Sequence, residues 1–149
     1  MEVNKVEFFF EEIPAFGFNQ RIVVEGVQNI ILQEKKEVGF ISVIFCSDDY
    51  LLEMNKKFLD HHYYTDIITF DYVEDKLISG DLFISIDRIK NNAPEFGVSF
   101  FEELLRVVFH GVLHLIGYDD RNETERKAIR SKEDFYLKTV EIEEGKDES

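Results

Sequence analysis

Hydrophobic and polar positions along the chain alternate between two periods. Val6 to Phe10 is a phenylalanine-rich run bounded by Glu11, Glu12 and Pro14, and it reads as a strand. From Asn19 onward Ile22, Val23, Val27, Ile30 and Ile31 recur at helical spacing up to the charged cluster Glu34-Lys35-Lys36-Glu37. Val38 to Cys46 is β-branched and aromatic with partial alternation, which suits a largely buried strand. Ser47 or Asp48 then caps a short helix carrying Leu51, Leu52, Met54, Asn55 and Phe58, which runs out near Asp60.

The second half repeats the alternation. Asp66 to Phe70 predicts a short strand, Val73 to Lys76 a polar turn, and Gly80-Asp81 leads into a strand over Leu82 to Ile86. A helix follows from Asp87 to roughly Asn92, ahead of Pro94 and Gly97. Ser99-Phe100-Phe101-Glu102 has capping-box spacing, and the helix it opens is apolar almost all round through Phe101, Leu104, Leu105, Val108, Val112, Leu113 and Leu115. Such a helix belongs in the middle of a domain. Asn122 to Glu125 can open a last helix by the same logic, ending around Val140. The tally is four strands and about five helices, with no repeats or linkers.

The central helix also carries the chemistry. Two of the four histidines, His110 and His114, are four residues apart and therefore one turn above each other on one helix face, where they can grip one ion. Gly117 can take the left-handed conformation that ends the helix and swings Asp119 and Asp120 back toward the imidazoles. The resulting pattern, His-Gly-x-x-His-x-x-Gly-x-x-Asp, copies the ligand spacing of the extended zincin motif with two changes. Gly111 stands where a metallopeptidase has its general-base glutamate, which speaks against peptidase chemistry. Asp120 stands in the third-ligand place, and two histidines with one carboxylate is a known catalytic zinc set. Asp119 is read either as a cap or as a carboxylate that orients a ligand histidine.

Composition narrows the class. At 149 residues the chain matches one domain, with 1–140 as the folded unit and 141–149 as an acidic, solvated, frayed tail. The lone Cys46 cannot make an internal disulfide, and neither a basic leader nor an apolar run of ~18 residues is present, so the cytoplasm is the expected location and no membrane partner is expected. A net charge of −14 argues against general attraction to nucleic acid, and DNA is not an expected partner. Any RNA contact needs a local basic patch. Lys56 with Lys57, Arg88 with Lys90, and Arg121 with Arg126, Lys127 and Arg130 are the candidates, each otherwise an ordinary solvated face. His61 and His62 are ordinary loop residues unless they meet substrate near the metal, and Asp81 is a turn residue unless it projects toward the site.

These residues resemble the YbeY family of bacterial endoribonucleases, which act as ribosomal RNA maturation factors. The family signature His-Gly-x-Leu-His-Leu-x-Gly-Tyr-Asp-His is matched from His110 to Asp120 everywhere except the last position. Asn55, Phe58, Thr65, Asp66 and Phe70 match an earlier family segment, and Ser79-Gly80-Asp81-Leu82 resembles its Leu-Gly-Asp-Ile strand. The resemblance covers about the whole chain and departs from the family at three places. Asp120 replaces a histidine, Leu59 occupies the place of an arginine associated with activity, and Tyr64 replaces the proline before Thr65.

The resemblance implies a single α/β (α+β) domain, a small mixed sheet packed on helices, with the metal in a cleft at the end of the central helix. It implies one zinc ion on His110, His114 and Asp120, another divalent metal being open given the aspartate. It also implies an endoribonuclease acting on ribosomal RNA, at the 3′ end of the 16S species, and on the small ribosomal subunit. Catalytic candidates are Asp119 and Asp81, and candidates for RNA contact are Lys56, Lys57, Arg88 and Arg121. Two alternatives stand beside this reading: a zincin-like metallopeptidase, and a non-catalytic ribosome-assembly partner with a structural metal.

Overall fold

The computed structural model describes residues 5–61 and 65–147, with side chains as far as Val140. Its elements run β1 (Val6–Glu11), α1 (Gln20–Gln33), β2 (Glu37–Cys46), α2 (Asp48–Leu59), β3 (Ile67–Asp71), β4 (Leu77–Ser85), α3 (Ile86–Glu95), α4 (Phe100–Ile116) and α5 (Glu123–Asp147). The sheet order is β1-β2-β4-β3. β2 pairs in parallel with β1 and with β4, whereas β3 lies antiparallel on the far edge of β4. The parallel β1–β2 pair needs a crossover, and α1 supplies it. The tight turn after β3 returns the chain directly into β4, with Asp75 at φ 55°.

Strand periodicity divides the sheet into two faces. Val6, Ile41, Val43, Phe45, Ile78, Leu82 and Ile84 belong to the main core with α1, α3, α4 and α5. The opposite face carries Cys46, Ile68, Phe70 and Phe83, which pack under α2 through Leu51 and Met54. Burial pushes the Cys46 thiol up to about 12, so it is an inert core residue. α4 lies on the main-core face and buries Leu104, Leu105, Val107, Val108, Phe109, Val112 and Leu113, as its all-round apolar pattern predicts.

Three boundaries differ from the sequence reading. β4 begins at Leu77, so Gly80 and Asp81 sit inside the strand. Gly80 marks a close approach, because a Cβ there would lie 2.6 Å from the Phe70 carbonyl oxygen and 2.8 Å from Leu115. α3 is capped by Ser85 and runs through Pro94 to Glu95. Proline at this point sacrifices a single intrahelical N–H, and the end is closed by Phe96 N–H to Asn92 O at 3.0 Å and Val98 N–H to Ala93 O at 3.0 Å. α5 continues past Val140 to Asp147, through Gly145, since the glutamates beyond Val140 are good helix formers. The side chains of that acidic end, with residues 148 and 149, lie outside the described residues.

The Phe70 carbonyl is backbone and cannot swing aside, so Gly80→Ala must displace β3. We expect a loss of about 1–3 kcal/mol. A lowered urea midpoint at unchanged m-value is the measurement that checks it.

Candidate metal centre

α4 opens at Ser99, whose Oγ accepts from the Glu102 N–H at 3.1 Å. It ends at Gly117, with φ at 130°, a value that favours glycine. The Gly117 N–H is shared between Leu113 O and His114 O, both at 3.1 Å, and the Tyr118 N–H returns to Leu113 O at 3.0 Å. The chain therefore reverses over the last turn of the helix. Asp120 then faces both imidazoles, with Oδ2 at 3.4 Å from His110 Nε2 and Oδ1 at 3.5 Å from His114 Nε2.

Those spacings can be compared with what a cation requires. Ligands held tetrahedrally at ~2.0–2.1 Å from zinc lie about 3.3–3.4 Å apart. One donor atom from each of His110, His114 and Asp120 falls within 4.8 Å of the others, so the set fits a single ion with a position left for another group. Both imidazoles present Nε2, which turns each Nδ1 outward.

His110 Nδ1 meets Glu133 Oε2 at 2.8 Å. A carboxylate only accepts, so Nδ1 carries the proton and Nε2 keeps its lone pair for the ion. Glu133 is 5% exposed, and its other oxygen accepts from Arg106 Nη1 at 3.2 Å. Burial works against a charged His110, but the Glu133 hydrogen bond and the charges of Glu133, Asp66 and Asp120 outweigh it and raise the imidazole pKa. His114 Nδ1 is 3.8 Å from Asp119 Oδ1, beyond hydrogen-bond reach, while Asp119 Oδ2 pairs with Arg121 Nη2 at 3.3 Å. The orienting carboxylate expected at Asp119 is thus supplied to His110 by Glu133.

Two cavities flank the centre and share Asp66, His110 and Asp120. One, of about 390 Å³, is bounded by the end of α3, α4 and α5 and lined by Phe96, Glu103, Arg106, Arg126 and Arg130. The other, of about 480 Å³, lies toward α2 and β3 and is lined by Asn55, Leu59, His61, Thr65 and His114. Burial raises the pKa of Asp66 between them, against the opposing charge of His110. Burial likewise raises that of Glu103, against Arg106.

Other sequence candidates lie elsewhere. Asp81 is in register with Phe70 and Ser42 on the α2 side of the sheet, where the Tyr72 hydroxyl donates to its Oδ2 at 3.1 Å, so the fold does not bring it to the histidines. Arg88 is tied to Asp48 at 3.1 Å, Lys56 to Glu53 at 3.5 Å, and Lys57 lies over the Phe58 ring at 5.3 Å. None of these three lysine and arginine positions lines either cavity. Arg121 pairs with Asp119 and Glu125. His62 and Tyr64 lie outside the described residues. Sequence reasoning missed Glu133, Glu103 and Arg106. A signal for Glu133 existed, since it falls on the apolar stripe Ile129, Tyr136, Leu137, Val140 of α5 as its one acid.

A helix-borne pair of imidazoles closed by a turn carboxylate, with a glutamate behind one ring, is a donor set that could hold a metal ion beside a mixed sheet. Residues 15–141 match the family model "Endoribonuclease YbeY", and the chain belongs to that family. The endoribonuclease YbeY of Karelsulcia muelleri is 51% identical over 129 residues, 87% of this chain and 92% of that protein. That of Bacteroides thetaiotaomicron is 46% identical over 132 residues, 89% and 96% respectively. A solution structure of a Thermotoga maritima protein superposes with a TM-score of 0.67 at 29% identity, covering 95% of this chain and 93% of that one.

In the metal-free protein the His110 proton is expected to leave above the ordinary ~6.5. The pairing with Glu133 then stabilises the fold fully below that ordinary value and is lost as pH rises through the higher folded one. An NMR titration checks this, and Glu133→Gln should move the His110 midpoint downward because the hydrogen bond to a charged partner and that partner's charge are both lost.

Proposed function

We propose that this protein is a zinc-dependent endoribonuclease that cuts single-stranded RNA in ribosomal RNA maturation, at the 3′ end of the 16S species, and in surveillance of the small ribosomal subunit in the cytoplasm. The observation that carries the reading is the convergence of His110 Nε2 and His114 Nε2 on the Asp120 carboxylate, at 3.4 and 3.5 Å from its two oxygens, in a cleft with a cavity on either side. Membership of the endoribonuclease family supplies the substrate class. Zinc held by His110, His114 and Asp120 would supply Lewis acidity toward a phosphodiester oxygen.

The chain's own residues do the rest. Glu133 holds His110 in one tautomer and one orientation, and Arg106 keeps Glu133 in place. A strand crossing the centre passes from one cavity to the other, which positions one phosphodiester at the histidines. Asp66 borders both cavities and carries a raised pKa, so we assign it, ahead of Asp119, to take a proton from the attacking hydroxyl. Arg126 and Arg130, one turn apart on α5, are the local cations for the backbone phosphates. They take over the task of the family arginine, whose place on the second cavity is held by Leu59.

Peptidase chemistry is disfavoured by the setting of Gly111. A Cβ there would lie 2.8 Å from Ile67 Cδ1 and 2.9 Å from Leu82 Cδ2, so a glutamate at this position would enter the sheet contact and not the cleft. The assembly-partner reading draws on Leu59, an apolar residue 43% exposed beside the centre. It predicts ribosomal subunit binding with every RNA left uncut.

Losing a partner behind a ligand typically costs 10–100-fold in affinity, so removal of a ligand should cost on the order of 100-fold or more. His114→Ala and Asp120→Ala are therefore expected to lose stoichiometric zinc and RNA cleavage together, whereas Asp119→Ala retains the metal. Elemental analysis of the purified variants, paired with cleavage of single-stranded ribosomal RNA fragments, checks both. Full zinc content in Asp120→Ala would overturn the ligand assignment.

A further inference from the structure

The cavity between α3, α4 and α5 contains a side chain that the proposed reaction does not use. Glu103 is 3% exposed, and its Oε1 is buried without a hydrogen-bond partner. Arg106 and Arg130 act on its carboxylate through their charges alone, without a hydrogen bond to Oε1. A buried acceptor left without a donor is costly, and native interiors rarely keep one that nothing will satisfy. The cavity wall it joins also holds Phe96, 58% exposed at the end of α3, and Arg130, which has no ion-pair partner among the described residues.

Spacing ties this wall to the metal centre. Glu103 and His110 are seven residues apart, two turns of α4, so they share a helix face with a rise of about 10 Å between them. That is about the reach from a phosphate to the far edge of the neighbouring base. The volume of about 390 Å³ is in the range of small-ligand sites, ~300–1,000 Å³.

We infer that this cavity is a nucleobase subsite selective for guanine, in which Glu103 accepts N–H donors from the base edge, Phe96 stacks on its face and Arg130 meets the attached phosphate. The selectivity follows from the carboxylate. Guanine presents adjacent N1–H and N2–H donors that pair with both oxygens. Adenine and cytosine offer one exocyclic amine beside a ring acceptor, and uracil one N–H between two carbonyls, so each sets an acceptor against the second oxygen. Single-stranded RNA is commonly read in this way, with an unstacked base on an aromatic side chain and hydrogen bonds on its Watson–Crick edge. The placement relative to cleavage rests on the endoribonuclease reading above; the base preference itself does not.

The test uses the zinc-loaded full chain and the four nucleoside 5′-monophosphates, with affinities from calorimetric or NMR titration. A good bidentate contact discriminates by roughly tenfold or more, so guanosine monophosphate is expected to bind at least about tenfold more tightly than the other three. Glu103→Gln, which replaces one acceptor by a donor, should abolish that preference while the protein stays folded. Phe96→Ala should weaken all four alike. In the cleavage assay, wild type should favour sites with guanine one nucleotide from the scissile phosphate, and Glu103→Gln should cut without that bias. Equal affinities, no binding of guanosine monophosphate at millimolar concentration, or a preference that survives Glu103→Gln would each overturn the subsite. A Glu103-dependent preference in a protein that cuts no RNA would uphold the subsite and sink the nuclease reading.

Discussion

The contact between α4 and the central strand β4 sets the position of everything else. It is close because two glycines make it so. Leu115 lies over Gly80, and Gly111 lies over Leu82 and Ile67, so helix and sheet approach with no Cβ between them at either point. Gly111 costs the helix ~1 kcal/mol of intrinsic propensity relative to alanine, a cost the packing offsets. Because the apolar face around it is locked on the sheet, α4 cannot rotate, and the row Glu103, Arg106, His110 and His114 faces the cleft beside α5.

A second constraint holds the turn that completes the centre. Glu34, the residue that closes α1, accepts from the Tyr118 hydroxyl at 2.8 Å, from Lys132 Nζ at 3.0 Å and from the Tyr136 hydroxyl. Burial alone would raise the Glu34 pKa, but these three donors together lower it. Tyr118 directly precedes Asp119 and Asp120, so the Glu34 knot ties their turn to both α1 and α5. Charge is handled in the same way throughout the site. Glu133 is paired with Arg106 and Asp119 with Arg121, so two of the acids near the histidines are balanced by arginines of the same cleft.

The pattern of hydrophobic positions was sufficient to read the nine elements found among the described residues, because each helix begins at an oxygen-bearing cap and each buried strand is rich in β-branched or aromatic residues. Where it failed, a close contact across the fold was responsible. Gly80 looks like a strand start until the Phe70 carbonyl and Leu115 are seen against it, and Pro94 looks like a breaker until the last turn of α3 is closed by later N–H groups. The candidate metal set, which the fold brings together, could be picked out because it is local, three residues within eleven. Glu133 was not, since its role depends on how α5 packs on α4, and no spacing in the chain encodes that packing. Asp81 misled for the converse reason, as a one-residue step along a strand sends a side chain to the other face.

The order in which the parts are synthesised differs from the order in which they matter. Both imidazoles and the turn carboxylate precede α5 in the chain, yet the glutamate that orients His110 and the two side chains of α5 that secure the turn arrive only with that helix. Chains fold from the N-terminal end as they emerge. A nascent copy still attached to its own ribosome therefore carries the two imidazoles and the turn carboxylate without their support, and the cleft is completed only once the last helix is free to dock.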